Sequence, residues 1–334
     1  MTIIALLALA ASCLTLSILA TRLVLAWLRN RQIMDVPNNR SSHNHPTPRG
    51  GGLAVSPCVL LALAVLTVMN AAPPGTLPVM AAAAALLVLS WLDDRHSLPA
   101  RLRLGLHLAA AAVGLATFPT DTLVFQGILP WWADRLLALL AWGWFINLYN
   151  FMDGIDGITG VETASLGLGL ALVGWLGGQP DLPPAGIALA AVAVGFLVWN
   201  WHPAKLFLGD SGSVPLGYLL GWLLLLAATR GAWAAALILP LYYLADSTIT
   251  LSRRALAGQR VWQAHRQHFY QRVVAAGHGH AVVALAILGC NAGLVACALA
   301  ALSGDAVLWS GAAALLTAAF LAGMAARAKP FMTP

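Results

Sequence analysis

Residues 3–28 read IIALLALAASCLTLSILATRLVLAWL, with Arg22 as their one charged side chain. A helix rises 1.5 Å per residue, so this run is long enough to cross about 30 Å of hydrocarbon. It is either a first membrane span or a cleaved leader. A leader opens with a basic segment; here Met1–Leu19 carries no basic residue, and Arg22, Arg29 and Arg31 come after it. The sequence therefore predicts a retained span.

The other segments follow the same pattern. Of 334 residues, 60% are hydrophobic and 9% charged, and the mean hydropathy of +0.80 exceeds that of soluble domains. Further apolar runs fall at 53–71, 78–92, 104–119, 134–150, 161–177, 185–199, 213–229, 231–251, 281–301 and 306–326. In lipid every backbone polar group must be satisfied within the protein, and the alternating pattern of a transmembrane barrel is missing, so the runs predict helices. The expected fold is an all-α, polytopic transmembrane bundle of about eleven spans, ten on a stricter count. It forms a single domain over 1–334, with no soluble domain and no internal repeat. Cys13, Cys58, Cys290 and Cys297 all lie in apolar runs without CxxC spacing, which predicts core thiols. Membrane lipids are the standing partner, and nothing points to nucleic acid.

Lys and Arg gather on cytoplasmic loops. With the N-terminus outside and the C-terminus cytoplasmic, the inner loops are 29–52, 93–103, 151–160, 200–212 and 252–280, and with the tail they carry 15 of the 18 basic residues. Most acids, and eight of nine histidines, fall on or beside the same loops.

Each inner loop carries polar chemistry. The first, DVPNNRSSHNHPTPRGGG, sets Arg40, His43, His45 and Arg49 beside three glycines, which suits close approach to an anion or a lipid headgroup. The second, WLDDRHSLPARLR, places Asp93 and Asp94 at the edge of a span, where carboxylates need a cation: a hard divalent ion or Arg95, Arg101 and Arg103. The third, NFMDGIDG (150–157), has Asp153 and Asp156 three apart, which directs both acids into one small volume, with Gly154, Gly157 and Gly160 leading the chain out of helix. The fourth, NWHPAKLFLGDSGS, brackets Asp210 with glycines, offers Lys205 to a phosphate and Phe207 as a stacking surface. The fifth holds AHRQHFYQR, in which His265 and His268 could share a helix face. No HExxH or nearby cysteine supports zinc there, and histidines beside Arg266 and Arg272 suit phosphate or a basic helix on the membrane. Asp246, inside an apolar run, is expected to pair with Arg253 or Arg254.

Carboxylates on four inner loops with cations on most of them, and no Walker A, GxGxxG or nucleophile motif, fit Mg²⁺-assisted phosphoryl chemistry at a membrane surface. Five stretches, DVPNNRSSHNHPTPRGGGLAV, WLDDRHSLPARLR, NLYNFMDGIDGITG, WNWHPAKLFLGDSGSVPLG and DSTITLSRR followed by AHRQHFYQR, resemble in order the polyprenyl-phosphate N-acetylhexosamine-1-phosphate transferases of glycosyltransferase family 4. The resemblance covers about residues 31–280. It implies transfer of a sugar 1-phosphate from a UDP-N-acetylhexosamine to undecaprenyl phosphate, with release of UMP and use of Mg²⁺, for which Mn²⁺ can substitute. It places the chain in a bacterial cytoplasmic (inner) membrane, active site facing the cytoplasm, and admits a homodimer.

Position by position, the resemblance makes Asp210 the direct metal ligand. It matches Asp93 and Asp94 to paired acids that serve the lipid phosphate or the metal, and Asn150, Asp153 and Asp156 to the stretch that closes the centre. Asn200 and Phe207 match positions that hold uridine, and His265 and His268 match a donor-binding motif. HRQHFYQR lacks the consecutive histidines of the pentapeptide translocases and looks like the branch that initiates O-antigen. Two other classes fit less well. A transporter would place acids at span centres and show two similar halves, and a non-catalytic lipid-binding scaffold would not need acids on all four loops.

Overall fold

The computed structural model describes residues 1–37, 45–96, 98–261, 263 and 265–328. Among these it is almost wholly helical: α1 (Ile3–Asn30), α2 (Gly52–Val68), α3 (Thr76–His96), α4 (Ala100–Leu115), α5 (Trp131–Phe151), α6 (Ile158–Leu176), α7 (Leu182–Asn200), α8 (Asp210–Thr229), α9 (Trp233–Ile238), α10 (Leu241–Leu256), α11 (Phe269–Ala275), α12 (His280–Ser303) and α13 (Ala306–Arg327). Two-residue strands β1 (Met34–Asp35) and β2 (Thr47–Pro48) pair antiparallel, with Met34 opposite Pro48.

Every apolar run of the sequence lies on a helix. Seven helices are long and apolar enough to cross a membrane by themselves, so this is a polytopic helical membrane protein. The ninth run is two helices, α9 and α10, interrupted at Leu239 and Pro240, since proline lacks the N–H an unbroken helix requires there.

Burial grades outward from α8. Its most apolar stretch is 89% buried, against 17% for α1 and 22% for α13. The buried residues of α1, Leu6, Cys13, Ser17, Thr21, Leu25 and Leu28, form one stripe, while Leu7, Leu16, Leu19 and Leu23 face outward. An apolar outer face on a peripheral helix is what lipid permits and water would not. The stripe of α1 docks on α7: Ser17 Oγ donates to the Val192 carbonyl at 2.7 Å and Trp199 Nε1 to that of Ile18 at 3.1 Å. The four cysteines are free, three buried and Cys297 half-buried, as core thiols.

The two ends of the bundle differ. At one, buried Asp134 accepts from the Val124 and Phe125 amides at 3.1 and 2.8 Å, and Arg230 makes a bidentate pair with Asp181 at 2.6 and 2.8 Å. The other gathers the loops α1–α2, α3–α4, α5–α6, α7–α8 and α10–α12, which bond to one another across long stretches of sequence.

The histidine loop is not the helix its spacing suggested. Residues 265–267 are non-helical, and His268 is the N-cap of α11, its backbone N–H bonded to the Gln271 side chain at 3.3 Å.

Candidate active site

Asp210 opens α8, where the helix dipole favours a carboxylate. Asp93 and Asp94 sit in the last turn of α3, where the dipole disfavours them, so each needs other partners. Asp94 finds them on α8: its two oxygens accept from the Asp210 and Ser211 amides, both at 3.3 Å, satisfying the first N–H groups of that helix.

Arg49 joins the two acids. Its Nη2 lies 2.9 Å from Asp94 Oδ1 and 2.7 Å from Asp210 Oδ1. Burial acts to lower its pKa, but Asp210 and Asp94 outweigh it and raise the pKa further, so the guanidinium stays charged. The backbone delivers it there. The Phe207 amide donates to the Pro48 carbonyl at 2.8 Å, the Gly50 and Gly51 amides donate to that of Phe207 at 3.1 and 2.9 Å, and the Gly52 amide to that of Leu208 at 2.8 Å. The RGGG and LFLGDSG segments are thereby zipped side by side.

Asp93 turns the other way, accepting from the Leu98 amide at 2.5 Å and pairing with Arg103 at 3.0 Å. Arg103 also lies 3.8 Å from Asp210 Oδ2. Asn150 Nδ2 donates to the same oxygen at 3.3 Å and is oriented by the Ser213 hydroxyl, which donates to its Oδ1 at 2.6 Å. Asp93, Asp94, Arg103, Asn150, Asp210 and Arg49 thus form one cluster built from four helices and a loop.

The NFMDGIDG acids do not share one volume. α5 ends at Phe151 and α6 starts at Ile158, and Gly157, at φ +80°, turns the chain between them. Asp153 accepts from the Thr159 hydroxyl at 2.7 Å, within the field of Arg49, Asp210 and Asp94. Asp156 faces His202 and His280 instead, at 2.6 and 3.3 Å. The chain leaves helix here as its glycines predict, and outside a helix the three-residue spacing does not keep the two acids together.

Burial pushes Asp153 up to about 6, against its Thr159 hydrogen bond and Arg49, which lower it. A carboxyl raised in the folded state stabilises below its unfolded pKa, and that contribution is lost as pH rises through the folded value. Asp153→Asn keeps the Thr159 contact without the buried charge. Its gain in thermal stability over the parent is expected to be larger at about pH 7.5 than at about pH 4, measured in detergent without substrate; an equal gain at both would refute this.

The other expected residues separate from the acid cluster. Asn200 spends its amide inside the protein, accepting from the Gly157 N–H and donating to the Leu206 carbonyl, both at 2.9 Å. Lys205 Nζ lies 5.5 Å from the centroid of the Trp199 ring. Half-buried Phe207 contributes its backbone to the zipper, and Arg266 is exposed. Burial pushes His265 down to about 3, so it is neutral at physiological pH and offers hydrogen bonds rather than charge. His268 is buried, with Nδ1 3.1 Å from Asp246. His43, like Arg40, lies outside the described residues.

Asp246 is paired differently from expectation. It meets His268 Nδ1 and the Phe269 amide, each at 3.1 Å, and the Thr250 and Tyr242 hydroxyls at 3.2 and 3.3 Å. Arg253 and Arg254 are two helical turns away, about 11 Å along the axis. Arg253 lies over the Phe269 ring and Arg254 donates to the Arg260 carbonyl.

A cavity of about 970 Å³ leads away from the cluster between α3, α4, α5, α8 and α10. Leu86, Leu104, Leu108, Leu140, Trp144 and Val214 line it, and Asp93, Arg103, Asn150 and Asp210 form its polar end. Three carboxylates, with no sulfur or ring nitrogen among them, are a donor set for a hard divalent cation. The position of Arg49 Nη2 between two carboxylate oxygens marks where positive charge is required. Sequence reading passed over Arg103 except as a counter-charge, and passed over Ser213, Thr159, His202 and His280 altogether. Of these only His202, two residues after Asn200 in the fourth loop, had a sequence signal.

The acids and arginines of this helical membrane bundle gather at one end of an apolar groove. Residues 76–228 match the model of glycosyl transferase family 4. The chain is 32% identical to the decaprenyl-phosphate N-acetylglucosaminephosphotransferase of Mycolicibacterium smegmatis, over 73% of this chain and 69% of that one. It is 31% identical to the protein of the same name from Mycobacterium tuberculosis, over 75% and 71%. It is 24% identical to the undecaprenyl-phosphate alpha-N-acetylglucosaminyl 1-phosphate transferase of Escherichia coli O157:H7, over 73% and 70%. The chain belongs to glycosyl transferase family 4.

Proposed function

We propose that this protein transfers an N-acetylhexosamine 1-phosphate from its UDP-sugar to undecaprenyl phosphate, releasing UMP. The product starts a cell-surface polysaccharide such as O-antigen. The observation that carries this reading is the acid and arginine cluster seated at the polar end of an apolar groove. The groove suits an isoprenoid chain, and its end suits phosphates. The whole chain, 1–334, acts as one transferase domain. The excess of basic residues on the site-bearing loops supports a position of that end at the cytoplasmic face of the bacterial inner membrane, where nucleotide sugars are.

Arg103, at the mouth of the groove, holds the lipid phosphate, and Arg49 the diphosphate of the donor, in charge-assisted contacts. Asp210 and Asp94 would hold Mg²⁺, with Asp93 beside them; such an ion supplies charge neutralisation at the phosphoryl oxygens. The second pKa of a phosphate monoester is near 6, so the lipid phosphate is already mostly dianionic at neutral pH and gains little from a base. An oxygen of that phosphate attacks the β-phosphorus of the donor, and the bond to the bridging oxygen breaks, UMP keeping that oxygen and its electron pair. A sugar-phosphate adduct trapped on Asp93 would overturn direct attack. Asp153, Asn150 and Ser213 keep the acid centre in register. Asn200 clips the turn at Gly157 to the loop that carries Phe207, the surface offered to uracil.

The test is UMP release by purified protein supplied with undecaprenyl phosphate, Mg²⁺ and UDP derivatives of N-acetylglucosamine, N-acetylgalactosamine, N-acetylfucosamine and N-acetylquinovosamine. Release is expected first with UDP-N-acetylglucosamine, the sugar named for the relatives above. No release with any of the four would refute the reading.

A further inference from the structure

We propose that Asp156, His202 and His280 form a binding site for one first-row transition-metal ion of the zinc class, separate from the Asp94 and Asp210 centre. The three residues come from three places: the turn between α5 and α6, the loop between α7 and α8, and the first position of α12. One ligand atom from each lies within 4.8 Å of the other two, the one such group among the described residues.

Both rings aim Nδ1 at the same carboxylate. His202 Nδ1 is 2.6 Å from Asp156 Oδ2, and His280 Nδ1 is 3.3 Å from Oδ1. The Ala204 amide adds a contact to Oδ2 at 3.1 Å. Each Nδ1 either carries a hydrogen and donates to the carboxylate from a neutral ring or, without it, is free to ligate a metal beside that carboxylate. The two rings stand 4.8 Å apart, centroid to centroid, on the one carboxylate. One divalent ion satisfies both nitrogens and the carboxylate together. The Asp156 N–H, 3.3 Å from His280 Nδ1, treats that nitrogen as an acceptor, the form in which imidazole binds metal.

Two imidazoles and one carboxylate are a ligand set for Zn²⁺ or its neighbours rather than for Mg²⁺, which prefers all-oxygen sites. Tetrahedral zinc places its ligand atoms roughly 3.4 Å apart, so an ion entering here opens the 2.6 Å His202 contact and draws in the longest separation, which is within 4.8 Å. The His202 side chain, 42% exposed, has the freedom to rotate and provides the way in. Three protein ligands leave a fourth position open. A bound ion would tie α12 to the turn that Asn200 already clips, beside the proposed nucleotide subsite.

The test needs no turnover, so its outcome is separate from that of the proposed reaction. Protein purified without a histidine tag is stripped with a chelator, exchanged into chelator-free buffer and titrated with Co²⁺. One equivalent is expected to give a saturable visible d–d band that Zn²⁺ abolishes and excess Mg²⁺ does not, together with a rise in Tm. His202→Gln and His280→Gln are each expected to weaken the binding at least about tenfold. His202, on an exposed loop, serves if the α12 variant fails to fold. No band at stoichiometric Co²⁺ in the parent protein, or an unchanged band in the His202→Gln variant, would overturn the site.

Discussion

Asp210→Asn is expected to lower the rate of UMP release by about 10³-fold while the protein still folds. Asp210 is where the centre converges: one oxygen meets Arg49 at 2.7 Å, and the other meets Asn150 at 3.3 Å and Arg103 at 3.8 Å. The amide keeps the size of the side chain and removes its charge, leaving Arg49 with Asp94 alone. The scaffold does not depend on that charge, because Asp210 is tied to Asp94 through its backbone N–H, which the substitution retains. Initial rates at saturating substrates, alongside a thermal melt, separate the two effects. A variant keeping a tenth or more of the parent rate would remove Asp210 from the heart of the reaction.

Gly52→Ala is expected to act through the scaffold. A Cβ at residue 52 would stand 2.0 Å from the Gly212 nitrogen and 2.3 Å from the Ser211 carbonyl carbon. These are backbone atoms at the start of α8 and cannot rotate aside. The start of α2 and the start of α8 must therefore separate, straining the Gly52 amide bond to the Leu208 carbonyl at 2.8 Å and the Ser56 hydroxyl bond to that of Ser211 at 2.9 Å. The cost is roughly 3 kcal/mol or more, with Asp210 carried away from Arg49. Gly105→Ala is the matched control: it lies on α4 with nothing within 4 Å of the added methyl, and alanine favours helix. The expected result is loss of monodisperse protein or a sharply lower Tm for Gly52→Ala, and an unchanged or higher Tm for Gly105→Ala. A Gly52→Ala protein that melts with the parent would contradict the contact.

The spans were legible because lipid imposes a length and a composition that any reader of residues 3–28 or 281–301 can measure. Asp93, Asp94 and Asp210 were legible for a related reason: charge at the edge of a span is costly, and its presence there needs an explanation. The pairing of those charges was not. That Asp94 reaches across to α8 while its neighbour Asp93 turns back to Arg103 depends on how α3 and α4 cross, which no local pattern encodes. The divergence of Asp153 and Asp156 depends on the non-helical backbone between them and on partners as distant as a histidine 124 residues further along. Asp246 invites pairing with arginines on its own helix, where short-range reasoning looks first; its partners there are the Tyr242 and Thr250 hydroxyls, and from the next helix His268 and the Phe269 amide.

The long sequence separations in the acid centre also bear on how the chain is made. Asp93 and Arg103 are ten residues apart, so the hairpin of α3 and α4 leaves the ribosome with that pair ready to close. Arg49 and Asp94 are synthesised early as well, but Asp210 lies 161 residues beyond Arg49. The centre therefore cannot close until α8 has been made. His280 and the Asp246 clasp follow later still. A nascent chain that stalls before residue 210 therefore holds the Asp93–Arg103 and Arg49–Asp94 pairs but lacks the acid on which Arg49, Arg103 and Asn150 converge.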